Sequence, residues 1–326
     1  EMDKMAKEDR SALHEAMEQQ CYDDETEVLT EAGWKLFQDV TTDDRVATLS
    51  PDGRLEYAAP SNLVASEYDG ELYYVKSRQV DLAVTPNHRM YVNLNRRADE
   101  WEGFGFIRMD EIPIHKRMRF KKNAVWEGEP QDTYEIPPAV KFANQNSAGR
   151  LTDPILVGMD DWLEFLGYFL SEGSVQWHYQ TGVPYRVVIS QRMSESAEKI
   201  RRCLERLPFR FSYDGINFAI NAKQLAEHLA PFGKCHEKYV PDYAKSLPPE
   251  QIEVLLDALM LGDGYVNKTT GVSVYTTSSK RLADDVTELL LKKGWSGNVH
   301  LMREAGIPTS NPRGGTSTVT NDIYQV

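Results

Sequence analysis

Two stretches of this sequence close a long apolar run with an acid and then a glycine, and acids placed that way in duplicate could hold a cation. The first is Leu163-Glu164-Phe165-Leu166-Gly167-Tyr168-Phe169-Leu170-Ser171-Glu172-Gly173. The second is Val254-Leu255-Leu256-Asp257-Ala258-Leu259-Met260-Leu261-Gly262-Asp263-Gly264. Each run has the length of a helix. Small residues lie four apart in both, Gly167 with Ser171 and Ala258 with Gly262, which sets each pair on one helix face. Two such helices can pack more closely than helices with bulky contact residues. Glu172 and Asp263 would then emerge side by side at the C-terminal ends, facing the negative pole of the macrodipole at a cost of ~0.3–1 kcal/mol each. One copy alone reads as a core helix with a glycine cap. A doubled unfavourable charge points instead to divalent-metal binding through hard oxygen ligands.

Phe165 to Gly173 and Leu256 to Gly264 resemble the paired motif of the LAGLIDADG homing endonucleases, although Glu172 stands where Asp is commoner in that family. The resemblance implies a pseudo-twofold, two-repeat α/β domain with the motif helices at its interface. It also implies double-stranded DNA as partner, Mg²⁺ as cofactor, and Glu172 and Asp263 as catalytic metal ligands. Lys238-Tyr239-Val240-Pro241, ahead of Leu247-Pro248-Pro249, is similar to the Lys-x-Ile-Pro block before the second motif of intein endonucleases. That similarity gives Lys238 the role of stabilising transition-state charge; a snorkelling surface lysine is the plainer alternative. No partner lysine follows Asp263.

The elements that would position these groups recur after each motif. Tyr185 to Gln191 reads as a strand, Glu195 to Leu207 as a helix, Phe209 to Phe211 and Ile216 to Ile220 as strands, and Ala222 to Leu229 as a short helix. Val272 to Thr277, Arg281 to Lys293, Val299 to Met302 and Ile323 to Val326 repeat that order, an internal duplication. Arg186, Gln191, Arg192, Thr277 and Lys280 are the polar residues on or beside these strands expected to contact DNA.

The N-terminal half reads differently. From Cys21 to about Val125, short strand-like runs (Glu27 to Thr30, Val46 to Leu49, Glu71 to Val75, Asp81 to Thr85) alternate with turn signals such as Ala32-Gly33 and Asp69-Gly70, the pattern of a compact all-β domain. Cys21-Tyr22-Asp23-Asp24-Glu25-Thr26 together with Thr85-x-x-His88 resembles the two N-terminal splicing blocks of inteins, whose fold is the β-rich Hint domain. Carried over, Cys21 is the nucleophile at the Gln20–Cys21 junction, His88 distorts the scissile amide and protonates its nitrogen, and Thr85 positions the carbonyl. A thiol is the best side-chain nucleophile near neutral pH and needs an acid/base partner to act on an amide.

Residues 1–20 contain Asp3-Lys4-Met5, Glu8-Asp9-Arg10-Ser11 and His14-Glu15-x-Met17-Glu18-Gln19-Gln20, which resemble a piece of the MCM replicative helicase broken off at Gln20. The expected organisation is thus an N-extein over 1–20, the N-terminal part of a Hint domain over 21–126, a linker over 127–155 and the endonuclease over 156–326 with its second repeat incomplete. The C-terminal splicing blocks are absent, so a C-terminal intein fragment or segment and the host MCM helicase exteins are expected partners. The basic run His115-Lys116-Arg117-Met118-Arg119-Phe120-Lys121-Lys122 reads as a solvated strand edge or as a phosphate-contacting arm.

A net charge of −13 excludes a wholly DNA-dedicated protein, but the charge is uneven: the part from residue 150 onward is nearly neutral. No 18-residue apolar run or signal peptide is present, so no membrane partner is expected. Three cysteines without a CxxC pair argue against a disulfide framework or zinc site and suit a reducing cytoplasm. The expected function is self-splicing combined with metal-dependent DNA cleavage. The rivals are a splicing element whose endonuclease only binds DNA, and a Hint autoprocessing domain that cleaves without ligating.

Overall fold

A computed structural model of the protein describes residues 21–65, 67–77, 79–97, 100–141, 149–310 and 316–326. The helicase-like stretch with Gln20 lies outside the described residues, as do positions 142–148. The chain divides into two units between Asn123 and Ala124.

The described residues of the first unit form β-strands and two short 3-10 turns. Strands β1 (Glu27–Thr30), β2 (Gly33–Leu36), β3 (Val46–Leu49) and β4 (Leu55–Ala58) form a sheet in the order β2-β1-β3-β4. β5 (Tyr73–Lys76) and β6 (Asp81–Val84) make a hairpin. β7 (Arg89–Arg97), β8 (Glu100–Arg108) and β9 (Met118–Phe120) make a second sheet in the order β8-β7-β9. Alternation along β7 buries Met90, Val92 and Leu94, which join Val84 and Met109 in a small core.

The second unit begins earlier than composition suggests. β10 (Thr133–Ile136) pairs antiparallel with β13 (Ile155–Gly158), and β11 (Val140–Lys141) with β12 (Arg150–Leu151) between them. Ile136 and Val157 are buried, Tyr134 and Ile155 pack on the same core, and the Trp126 indole donates to the Leu247 carbonyl at 2.9 Å. The stretch expected as a linker is therefore part of this unit. Its prolines and glycines mark frequent turns, while its few large apolar side chains still find the core.

Next comes α1 (Met159–Glu172), then β14 (Gly173–Trp177), β15 (Pro184–Ser190), α2 (Glu195–Arg206), β16 (Phe211–Tyr213), β17 (Asn217–Ile220), α3 (Lys223–Leu229) and the single turn α4 (Asp242–Lys245). The order recurs as α5 (Pro249–Asp263), β18 (Gly264–Val266), β19 (Ser273–Thr277), α6 (Lys280–Lys292), β20 (His300–Arg303), the small hairpin β21 (Pro308–Ser310) with β22 (Thr316–Thr318), and β23 (Ile323–Gln325). The two main sheets run β14-β15-β17-β16 and β18-β19-β23-β20. Their orders correspond strand for strand, so the second sheet has all four of its strands. β16 starts two residues later than expected, at Phe211, because its partner Ile220 is the last residue of β17.

α1 is apolar on nearly every side, from Trp162 to Leu170, as befits a central helix. α2 and α6 are amphipathic and capped by Ser194 and Ser279, whose side chains accept from Ala197 N and Leu282 N. Among the described residues no helix is long and apolar enough to cross a membrane.

Candidate active sites

α1 and α5 meet through the small residues. A Cβ on Gly167 would stand 2.5 Å from the Cβ of Ala258, and one on Gly262 would stand 2.4 Å from the Cβ of Ser171. Ser171 Oγ donates to the Leu259 carbonyl at 3.2 Å. Each contact thus matches one glycine with one small side chain, and neither has room for a second Cβ.

Both helices turn directly into strands at the glycine after the acid. Gly173 and Gly264 are extended, with φ of −89° and −104°, so their glycine character is a matter of space. A Cβ would come within 2.4 Å of the Phe169 ring at Gly173, and within 2.6 Å of Met260 atoms at Gly264. This loopless joint leaves Glu172 and Asp263 close enough to repel each other. Burial pushes Asp263 up to about 7, the Glu172 charge adds to the rise, and Lys238 pulls it back. Glu172 is also raised, by burial, with Lys238 opposing.

Lys238 does not snorkel. It is 2% exposed, and its ammonium donates to the carbonyls of Phe169 and Gly173, both at 2.6 Å. These carbonyls lie at the C-terminal end of α1, where a cation is favoured. Burial lowers its pKa to about 8, and the Asp263 and Glu172 carboxylates hold it up. Sequence reasoning missed how this lysine is held. Ser279 Oγ donates to the Lys238 carbonyl at 2.6 Å, and Val240 N–H donates to Asp285 at 2.8 Å. Asp285 also takes Lys245 at 3.0 Å, Lys245 reaches Glu288 at 3.4 Å, and Glu288 takes Lys292 at 2.6 Å. All four of these charged side chains are buried. Asp285, Glu288 and Lys292 follow one another at spacings of three and four along α6, Lys245 ends α4, and all four would pass for surface charges, so nothing in the sequence marked them.

Among the described residues no group of three or more His, Cys, Asp or Glu forms a metal cluster. Two carboxylates are nonetheless the donor set that suits Mg²⁺, which keeps several waters and takes phosphate oxygens as further ligands. Burial first and the Glu172 charge second disfavour an ionised Asp263, and a divalent ion held by both carboxylates would offset that, so these residues fit such an ion.

The expected strand residues divide. On β15, Val187 and Ile189 are buried, so Arg186 and Ser190 share the opposite face with their neighbours Gln176 and Asn217. Arg186 donates to Asn221 Oδ1 at 2.6 Å. Gln191 follows β15 half-buried, and Arg192 is exposed before α2. Thr277 differs from its expectation. It is buried on the same side as Tyr275, and its hydroxyl accepts from Ser279 N–H at 3.1 Å. Counting by twos from buried Tyr275 puts Thr276 on the outer face, with its partner Gln325. Lys280 opens α6 and pairs with Asp284 at 2.6 Å.

In the first unit Cys21, Thr85 and His88 come together. Residues 21–23 run antiparallel to the end of β6: Tyr22 bridges Val84, and Asp23 N–H donates to the Ala83 carbonyl. Thr85 and Cys21 are doubly joined, Cys21 N–H donating to Thr85 Oγ1 at 3.2 Å and Thr85 N–H to the Cys21 carbonyl at 3.1 Å. The His88 N–H donates to the Thr85 carbonyl, and Tyr22 packs its ring 4.4 Å from the imidazole. His88 is buried, and its Nδ1 has no hydrogen-bond partner among the described residues. Burial lowers the His88 pKa and raises that of the Cys21 thiol. Both shifts favour the uncharged forms, imidazole and thiol.

Comparison with known proteins adds a family and relatives. Residues 250–313 match the LAGLIDADG-like domain. The chain is 31% identical over 291 residues to an ATP-dependent Clp protease proteolytic subunit of Chlamydomonas moewusii, covering 86% of this chain and 28% of that protein. It is 31% identical to an RNA polymerase subunit beta section of Stigeoclonium helveticum, with 88% and 29% covered. It is 25% identical to RNA polymerase subunit Rpo1C of Methanocaldococcus jannaschii, with 78% and 30% covered. The chain thus spans less than a third of each relative. Among solved structures it is similar to I-DmoI in complex with DNA and Mn, at 17% identity and a TM-score of 0.35, covering 51% of this chain and 88% of that one. It is also similar to the homing endonuclease I-WcaI bound to its DNA recognition sequence, at 13% identity and a TM-score of 0.30, with 52% and 76% covered.

Proposed function

We propose that this chain is part of an intein interrupting an MCM helicase, with a Hint-type splicing unit and a LAGLIDADG endonuclease that cuts double-stranded DNA. The observation that carries the nuclease reading is the carboxylate pair Glu172 and Asp263 at the joined ends of α1 and α5, with Lys238 buried beside them. These two carboxylates would hold Mg²⁺, which when bound supplies Lewis-acid activation of water and of the scissile phosphodiester. Lys238 fixes the end of α1 and offsets part of the anionic charge. The outer strand faces around Arg186 and Thr276 would carry phosphate and base contacts.

The splicing reading draws on two further observations. Cys21 and Thr85 are hydrogen-bonded in the same stretch as the buried His88. Much of the chain is also shared by a protease subunit and by polymerase subunits, as suits a portable insert in unrelated hosts. In the acyl shift the Cys21 sulfur bonds to the Gln20 carbonyl carbon, the C–N bond breaks, and the thiol proton ends on the freed Cys21 nitrogen. A neutral His88 can take up that proton before giving it to the nitrogen.

The nuclease test is incubation with a duplex of the intein-free helicase gene around the codons for Glu18-Gln19-Gln20, with Mg²⁺, beside scrambled-duplex and EDTA controls. Glu172→Gln and Asp263→Asn should abolish cutting and spare binding. Equal cutting by wild type and Asp263→Asn would refute the site, and binding without cutting by all three would favour a decayed nuclease. For splicing, dithiothreitol should release a peptide ending at Gln20 from the wild type and none from Cys21→Ala. Joined product should need an added C-terminal fragment, and ligation by the chain alone would refute that requirement.

A further inference from the structure

The basic run at 115–122 belongs to neither site, and the fold gives it a surface. β7 buries Met90, Val92 and Leu94, so Arg89, Tyr91, Asn93 and Asn95 look the other way. Their cross-strand partners on β8 are Arg108, Phe106, Phe104 and Trp101. A bulge at Gly103, where φ is +100° and the N–H donates to Asn93 Oδ1, keeps Trp101 in line with the two phenylalanines. Arg119 of β9 lies opposite Asn93 on the same face. One face of a three-stranded sheet therefore shows four rings among cations.

The rings are not sunk in a core. Phe106 is 72% exposed, and Tyr91 and Phe104 are also exposed. Tyr91 lies 5.6 Å from Phe104 and 5.0 Å from Phe106, so the three form one row. Cations sit over them: Arg119 is 3.6 Å from the Trp101 ring centre, Arg117 5.8 Å from it, and Lys121 5.9 Å from that of Phe104. Arg117, Arg119 and Lys121 have no ion pair among the described residues, and all three are exposed. A cleft along the β9 edge is bordered by Val75, Gln79, Phe104, Arg119 and Lys122, so the same ring and guanidinium also line a concave surface.

A row of exposed rings flanked by unpaired cations, on a protein of net charge −13, is complementary to a polyanion that offers flat π-faces. Duplex DNA keeps its bases stacked inside and offers this sheet only phosphates. A single strand offers both bases and phosphates, and aromatic stacking with cationic tracking is how such strands are held. The geometry points to this face of the first unit as a binding surface for single-stranded DNA. The choice of DNA over RNA rests on the nuclease reading of the second unit; the surface itself does not.

The test is fluorescence anisotropy of a labelled oligodeoxythymidylate of about 12 residues, within the range of such sites, with the full chain in EDTA. Binding should weaken about tenfold in Phe106→Ala. In Lys121→Ala the slope of log affinity against log salt should flatten by about 0.7. Both side chains are exposed, and an unchanged melting temperature will show that the variants fold. Wild-type affinity in Phe106→Ala overturns the proposal. So does tighter binding of the matching duplex or of an oligoribonucleotide, or loss of single-strand binding in Arg186→Ala with Phe106→Ala unaffected. Failure of duplex cutting leaves these readings intact, so the two ideas fail separately.

Discussion

The two repeats of the second unit share a framework and differ in what surrounds their acids. Each has a motif helix running straight into a strand, a second strand and a serine-capped helix. Yet only α1 has its terminal carbonyls taken by a lysine, Lys238, which comes from the chain between the repeats. That lysine is held from the far side by Ser279 and Asp285 of the second repeat. The lesson is that duplication supplied the carboxylates twice, whereas charge compensation arises once, in the connection that duplication did not copy.

Removing the compensation should have the largest effect. Lys238→Met would leave two carbonyls and two buried-side carboxylates without their cation, costing about 3 kcal/mol. Urea unfolding measures this. A stability unchanged within error would show that the two repeats are equivalent after all.

Crowding the helix contact should cost somewhat less. Gly167→Ala should destabilise by about 2 kcal/mol, because its new Cβ meets that of Ala258. Ala258→Gly alone loses about 1 kcal/mol of helix propensity. Combined with Gly167→Ala it should be less harmful than additivity requires. A double-variant cycle with no coupling would show that the helices can part at no cost.

A pH dependence separates Asp263 from the rest. Its folded pKa of about 7 lies above the ordinary 3.8, so the fold favours the neutral acid. That contribution is fully present below the unfolded value, is lost as pH rises toward the folded one, and is flat beyond it. The melting temperature in EDTA should therefore fall through this window, and less steeply for Asp263→Asn. Mg²⁺ should restore stability above the window by binding the ionised pair and do little below it. Equal slopes for both proteins would show that Asp263 is not strained.

Much of this was legible in the sequence, for reasons that differ by element. The motif helices could be read because close packing restricts residue type: Gly167 and Gly262 have no room for a Cβ against the small Ala258 and Ser171. Strands such as β17 and β19 could be read because alternate residues are buried, which imposes a period of two. Thr277 was misplaced because the reading stopped at the strand and did not count its parity from Tyr275. The stretch 127–155 was misread because composition reports turns, whereas burial depends on a few residues such as Trp126 and Ile136. The buried charges at 245, 285, 288 and 292 had no signal, since only their partners distinguish them from solvated ones.

The matching of one glycine to one small side chain across α1 and α5 also sets a pairing rule. Equivalent motif positions face each other, Gly167 with Ala258 and Ser171 with Gly262. Two copies of the first repeat would oppose Ser171 to itself, and two copies of the second would oppose Ala258 to itself. Each like pair puts two Cβ atoms where the backbones leave room for one, while the unlike pair fits at both levels. The halves have become non-interchangeable, so separately expressed repeats should form the mixed assembly over either self-assembly. A recognition surface built on such a heterodimeric seam is free to read an asymmetric sequence.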